Sequence, residues 1–195
     1  FIHKVDELSE DQQTEMNRKV SRFVGEGVQH RLDGKRHSVK FHLTSIYDHS
    51  VFEAFSRVVQ KLILQLQHIQ QLMDMLNSNN RIDRSFLFDK TSKIFLATDN
   101  GVYVRTKYEL CSDSIDVLQG MSNIYGDGGD SSGASSLIHL SEGTVIYVKE
   151  ISETLALVMM LNENVLSNKA LIDYNIGVFG KAVTEMFNTT QPVAH

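Results

Sequence analysis

Tryptophan is absent from this 195-residue chain, and cysteine and proline occur once each. A single cysteine, Cys111, cannot build an internal disulfide framework, so no cross-linked secreted scaffold is expected and a reducing compartment suits the composition. Positive charge is also scarce. Lys and Arg number 19 against 24 Asp and Glu, for a net charge of −5, and no basic run is long enough to track a phosphate backbone. Nucleic-acid binding is therefore not expected. The longest purely apolar run, Leu155–Leu161, is far shorter than the roughly 20 residues that cross a bilayer. No signal peptide or lipidation motif is visible either, so the expectation is a cytoplasmic chain without direct membrane insertion. There is no Gly-Lys-Ser/Thr phosphate loop, no Ser-His-Asp set and no carboxylate pair placed for acid–base work, so no catalytic residue is expected. The chain opens on Phe1 rather than Met, and the expectation is a fragment of a longer product.

Hydrophobic residues make up 42% of the chain, enough for a packed core. The stretch Phe41–Leu62 organises the rest. It opens as a short strand, Phe41–Leu43, turns through Thr44–Asp48, and enters a helix with Val51, Phe52, Phe55, Val58, Val59 and Leu62 at three- and four-residue steps. Ser50 with Glu53 reads as a capping box, as does Ser9 with Gln12 ahead of a first helix carrying Met16, Val20 and Phe23. Gly25, Gly27 and the polar stretch Arg31–His37 are expected to end that first helix. Phe1-Ile2-His3 reads as a strand end. Residues 1–64 thus alternate strand and helix, the signature of a parallel sheet, with too few elements to close alone.

Residues 65–195 read as one compact module. A helix with Ile69, Leu72, Met73 and Leu76 stops at the Asn77–Asn80 cluster. Strands Ser85–Asp89 and Lys93–Thr98 flank a Lys90-Thr91-Ser92 turn, and a long helix runs from Thr106 to Ile124. Three strands, Leu137–Leu140, Thr144–Ile151 and Leu155–Leu161, precede a last helix, Ala170–Phe187. Leu155–Leu161 is apolar on both faces and belongs in the middle of the sheet. Gly177 and Gly180 sit inside the last helix, where each costs roughly 1 kcal/mol relative to Ala unless close packing requires it.

Two short motifs carry chemistry. Lys4-Val5-Asp6 follows the first strand and resembles the guanine-reading motif of small GTPases, in which an aspartate accepts both parallel N–H donors of guanine and a lysine stem lies along the base. Thr44-Ser45-Ile46 follows the next strand and resembles the second base loop of small GTPases, a resemblance that implies the backbone N–H of Ile46 would meet the guanine O6. Beyond these, His3-Lys4-Val5-Asp6, LTSIYDHSVFEAFSRVVQKLI (Leu43–Ile63), FLFDKTSKIFLATD (Phe86–Asp99), YELCSDSIDV (Tyr108–Val117), IYG (Ile124–Gly126) and ALIDYN (Ala170–Asn175) cover nearly the whole chain. Together they closely resemble the Rag GTPases of the C/D class, which have His where small GTPases usually have Asn in this motif.

The resemblance implies the carboxyl-terminal part of a small-GTPase domain (1–64) followed by a roadblock-type, longin-like dimerisation domain (65–195), an antiparallel sheet with flanking helices. It implies guanine contacts from His3, Lys4, Asp6, Ser45 and Ile46, and GTP or GDP as the full-length family's ligand, though not one held tightly by this chain. It also implies an A/B-class Rag partner in a heterodimer, a Ragulator-like scaffold on the lysosomal or vacuolar surface, and a relay of amino-acid sufficiency to the TOR kinase complex. The phosphate loop and switch segments are absent from these residues. Asp130-Ser131-Ser132-Gly133 fits Asp-x-x-Gly only by coincidence in a low-complexity loop. Leu64 stands where the family has Pro, so nothing local stops the second helix before His68.

The helix Thr106–Ile124 has two apolar stripes, Tyr108, Cys111, Ile115, Leu118 and Tyr125 beside Leu110, Val117, Met121 and Ile124. Together they exceed the arc that one-sided packing needs. One stripe is expected on the chain's own sheet and one on a partner. The expected interface is Tyr108, Cys111, Ile115, Val117, Leu118 and Met121 with Leu137, Ile138 and Leu140 of an edge strand. Cys111 reads as core, and His37, His42 and His49 lack a tight metal-ligand spacing, so no metal is expected. Two other readings stand beside this one: a free-standing roadblock or longin scaffold, and an active GTP hydrolase if amino-terminal motifs exist on the same polypeptide.

Overall fold

The computed structural model describes residues 1–31, 39–125 and 134–189. His37 and residues 126–133 lie outside them. The chain divides into two compact units, Phe1–Val58 and Val59–His195; the boundary expected after residue 64 lies a few residues further on.

In the first unit, β1 (Ile2–His3) pairs in parallel with β2 (Leu43–Thr44), Ile2 opposite Leu43 and His3 opposite Thr44. The ladder is as short as β1, so Phe41 and His42 stay outside it, although Ile2 N–H still donates to the His42 carbonyl at 2.8 Å. Between the strands runs α1 (Glu10–Arg31). Its start is capped reciprocally: Ser9 N–H donates to Gln12 Oε1 at 3.0 Å and Gln12 N–H to Ser9 Oγ at 3.4 Å. Gly25 and Gly27 do not end α1. They lie within it with open space where a Cβ would stand, and a glycine on an exposed helix weakens the helix without stopping it.

The second helix, α2 (Ser50–Gln60), also starts differently from the expected box. Asp48 Oδ1 accepts the Ser50 N–H at 2.9 Å, while Ser50 Oγ turns back to accept the Ser45 N–H at 2.8 Å. The carboxylate two residues earlier caps the helix, which frees Ser50 to brace the preceding loop. Nor does α2 run on to His68. It ends at Gln60, and i→i+3 bonds from Leu62 N–H to Val59 O and from Leu66 N–H to Ile63 O carry the chain to α3 (Leu66–Asn80). The break lets Ile63 and Leu66 pack on the core of the second unit while Leu62 and Leu64 stay exposed.

The second unit follows the expected order of helix, two strands, helix, three strands, helix. After α3 come β3 (Ile82–Asp89), β4 (Phe95–Thr98), α4 (Arg105–Tyr125), β5 (Ser135–His139), β6 (Thr144–Glu150), β7 (Leu155–Asn162) and α5 (Lys169–Thr189). The Asn77–Asn80 cluster stays within α3, and the stop comes at Arg81, which turns left-handed (φ 53°). The strands form one antiparallel sheet in the order β4-β3-β7-β6-β5. β7 is central, as its two-faced apolar run requires. Along it, Leu155, Leu157, Met159 and Leu161 face a core with Ile69 and Met73 of α3 and Ile172, Ile176 and Phe179 of α5. Ala156, Val158 and Met160 face the opposite core with Tyr108, Cys111, Ile115 and Leu118 of α4. This period of two places α3 and α5 on one face of the sheet and, among the described residues of this unit, α4 alone on the other.

Candidate functional site

The parallel β1–β2 pair sends two loops out from the same end of the strands. After His3, Lys4 adopts a left-handed conformation (φ 63°) and leads into a short 3₁₀ turn, Val5–Glu7, with Val5 buried. Gln13 of α1 holds this loop, its Nε2 donating to the carbonyls of Val5 at 2.9 Å and Leu8 at 3.0 Å. After Thr44, Ser45 is buried and donates through Oγ to Asp6 Oδ1 at 2.7 Å, while accepting the Tyr47 N–H at 3.1 Å. His3 Nδ1 meets Thr44 Oγ1 at 3.1 Å. His3, Asp6 and Ser45 are thus joined in one corner, with Lys4 and Ile46 exposed on its two loops. One Asp6 oxygen is engaged by Ser45, which fixes the direction of the carboxylate. Two contributions were not foreseen: Thr44, named in the motif without a role, answers His3, and Ser50, expected only as a helix cap, braces the Ser45 backbone from the start of α2. A buried-side serine next to a capping aspartate is the signal that could have found the second.

The residues expected on a partner face divide in two. Tyr108, Cys111, Ile115 and Leu118 are buried in the chain's own core against Phe86, Phe88 and Val158, so their surface is already covered. On the other side of α4, Leu110 is 42% exposed and Val117 47% exposed. Met121 lies in α4, with its side chain outside the described residues. β5 is the sheet edge, as expected, but spans Ser135–His139; Leu140 has left the strand and donates its N–H to the Thr144 carbonyl at 2.8 Å. Ile138 and Leu140 pack partly against the α4-side core, whereas Leu137 is exposed.

Burial pushes the Cys111 thiol up to about 12, which makes it core rather than a nucleophile. Among the described residues, no cluster of three or more His, Cys, Asp or Glu side chains is placed to hold a metal, and no helix is long and apolar enough to cross a membrane. A polar cluster ties the sheet to α5. Lys169 Nζ donates to Asp173 Oδ2 at 2.7 Å and to Tyr147 Oη at 3.1 Å, and Tyr147 donates to Asp173 Oδ1. Burial raises Tyr147, with Asp173 adding to it; the bond to Asp173 raises Lys169. Burial works against the Asp173 carboxylate, but Lys169, Tyr147 and Lys149 outweigh it and hold Asp173 below the usual carboxylate value.

These features define a class: a short parallel strand pair preceding a roadblock/longin-like antiparallel sheet with flanking helices. Residues 1–115 match the family model described as the Gtr1/RagA G protein conserved region. The chain belongs to this family of GTP-binding proteins, and within it to the C/D class of Rag GTPases. It is 46% identical over 193 residues to Ras-related GTP-binding protein C of Homo sapiens, covering 96% of this chain and 48% of that protein. It is 36% identical over 197 residues to GTP-binding protein gtr2 of Schizosaccharomyces pombe, covering 96% of this chain and 62% of that protein. The chain therefore spans roughly half to three-fifths of the length of these relatives. Among solved structures, Myxococcus xanthus MglB superposes with a TM-score of 0.52 over 67% of this chain and 96% of that chain, at 13% identity, a likeness of fold alone.

Proposed function

We propose that this chain is the base-reading and dimerisation part of a regulatory Rag-type subunit. In this reading α4 and the β5 edge join an A/B-class Rag, and the pair docks on a Ragulator-like scaffold at the lysosomal or vacuolar surface to relay amino-acid sufficiency to the TOR kinase complex. His3, Lys4, Asp6, Ser45 and Ile46 meet the guanine of GTP or GDP. They reach the base and leave the phosphates unclamped, so this chain alone should hold nucleotide weakly.

The observation that carries the partner reading is the uneven cover of the sheet. Five strands about 4.8 Å apart span roughly 20 Å, whereas one helix is about 10 Å wide. Among the described residues of this unit α4 is alone on its face, its outward Leu110 and Val117 are exposed, and the edge of β5 beside it is unpaired. A second helix and strand of the same kind would complete both. The test is a pull-down with an A/B-class Rag roadblock domain. Val117→Asp should abolish capture while circular dichroism shows an unchanged fold; undiminished capture by the folded variant would move the interface elsewhere.

A further inference from the structure

Three consecutive amides follow β2 in the Ser45–Tyr47 loop, and two of them are taken within the fold. The Ser45 N–H donates to Ser50 Oγ at 2.8 Å and the Tyr47 N–H to Ser45 Oγ at 3.1 Å. The Ile46 N–H between them has no acceptor among the described residues. Two carboxylates set the direction of this arrangement. A carboxylate only accepts, so the Ser50 hydroxyl proton points at Asp48 Oδ1 and that of Ser45 at Asp6 Oδ1, the latter at 2.7 Å. Each serine oxygen is left with its lone pairs toward an amide N–H, which is where the two amides lie. One chain of oriented bonds therefore runs from Asp48 through Ser50 and Ser45 to Asp6, joining the start of α2 to the loop after β1.

Thr44, Ser45 and Ser50 are buried, and a buried amide such as that of Ser45 requires an acceptor in place. Ser50 is that acceptor. Capping α2 does not fall to it, because Asp48 Oδ1 takes the helix N–H at Ser50. Ile46 itself is 67% exposed, beside a loop whose other polar groups are engaged. We infer that Ser50 is a positioning residue for guanine recognition: by holding the Ser45 amide it keeps the Ile46 N–H unengaged for the O6 of the base, while the same chain of bonds fixes Asp6 for the two N–H donors. The inference rests on the base-reading function proposed above, and adds to it a residue that touches no nucleotide.

The test follows the backbone amides of the 195-residue chain by NMR while guanosine or inosine monophosphate (GMP, IMP) is added. Both bases carry O6, and only guanine carries the 2-amino group, so the ratio of the two affinities reads the Asp6 contact. In the unaltered chain GMP should move the Ile46 amide proton downfield and leave those of Ser45 and Tyr47, already bonded, near their places. Ser50→Ala should weaken GMP and IMP alike, by roughly 2- to 10-fold, the scale for one neutral hydrogen bond. The GMP/IMP ratio and the β1–β2 amides should not change. Equal shifts at all three amides of the unaltered chain overturn the inference, whatever becomes of the variant's fold. Undiminished affinity in a folded Ser50→Ala chain overturns it too, as does a loss of affinity that also collapses the ratio, the mark of a merely structural role. Absence of any GMP response at these loops in the unaltered chain overturns the base-reading function instead.

Discussion

Two glycines three residues apart in α5 should respond oppositely to the same substitution. Glycine inside a helix is about 1 kcal/mol less favourable than alanine. At Gly177 nothing lies within 4 Å of a new Cβ, so Gly177→Ala should gain that amount unopposed. At Gly180 the new Cβ would stand 3.0 Å from Ile151 Cγ2 and 3.5 Å from Cδ1. Overpacking of this kind costs roughly 1–3 kcal/mol, so Gly180→Ala should be neutral to destabilising by about 2 kcal/mol. Urea unfolding followed by circular dichroism reads both: with a slope of about 1–3 kcal/mol/M, Gly177→Ala should raise the midpoint by roughly 0.3–1 M. In an Ile151→Ala background the obstruction is gone, and Gly180→Ala should become as favourable as Gly177→Ala, a coupling of about 1 kcal/mol or more. Equal gains from both glycines in the unaltered background would refute the packing reasoning, and so would a loss at Gly177.

Neighbouring positions on α4 should separate just as clearly. Leu118, 3% exposed, should cost about 2–5 kcal/mol as Leu118→Ala, whereas Val117→Ala should stay within about 0.5 kcal/mol in urea unfolding of the free chain. The Cys111 thiol, buried and pushed up to about 12, should ignore a thiol reagent at mildly alkaline pH until denaturant opens the fold; prompt reaction in the native state would contradict its burial. Because the Asp173 carboxylate is held below its ordinary value, its contribution is complete above the usual aspartate range near 4 and fades as pH falls through the lower folded value. Asp173→Asn should flatten that part of the acid limb in urea midpoints, and an acid limb of unchanged slope would count against the cluster. Tyr147 and Lys169, both raised, act in the opposite direction, so their contribution should fade as pH rises through the alkaline range.

Where the fold was legible in the sequence, a single local pattern dictated it. The seven-residue apolar run of β7 required a strand covered on both faces, and the Ser9–Gln12 spacing required a helix start. The misses arose where neighbours decided the outcome. Gly25 and Gly27 look like stops, but a solvated helix can carry them. Ser50 looks like a cap, yet Asp48 takes that place because Ser50 is needed under Ser45. That Lys4-Val5-Asp6 and Thr44-Ser45-Ile46 lie side by side was readable because strand–helix–strand alternation makes their two strands parallel neighbours. The two stripes of α4 were readable as stripes, but which of them the sheet would cover depended on the roll of the helix, which spacing alone does not set. The buried ion pair of Arg84 with Asp99 gave no signal at all, since the two meet only through the β3–β4 hairpin.

The strand that completes the centre of the sheet is also among the last to be made. β3 finds β4 within one short hairpin, but its other edge waits for β7, with Ile82 opposite Leu161. At ribosomal rates of roughly 5–20 residues per second, that edge stays open for about 4–16 seconds during synthesis. Through this interval the edge of Phe86, Leu87 and Phe88 that pairs with β7 has no strand partner, although α3 and β4 are soon in place and α4 follows. A nascent chain in that state carries an apolar template able to pair with any strand nearby, including the same segment of a neighbouring ribosome's product. Crowded polysomes and rapid overexpression should therefore be where this protein is lost to aggregation, well before the stability of the finished fold has any say.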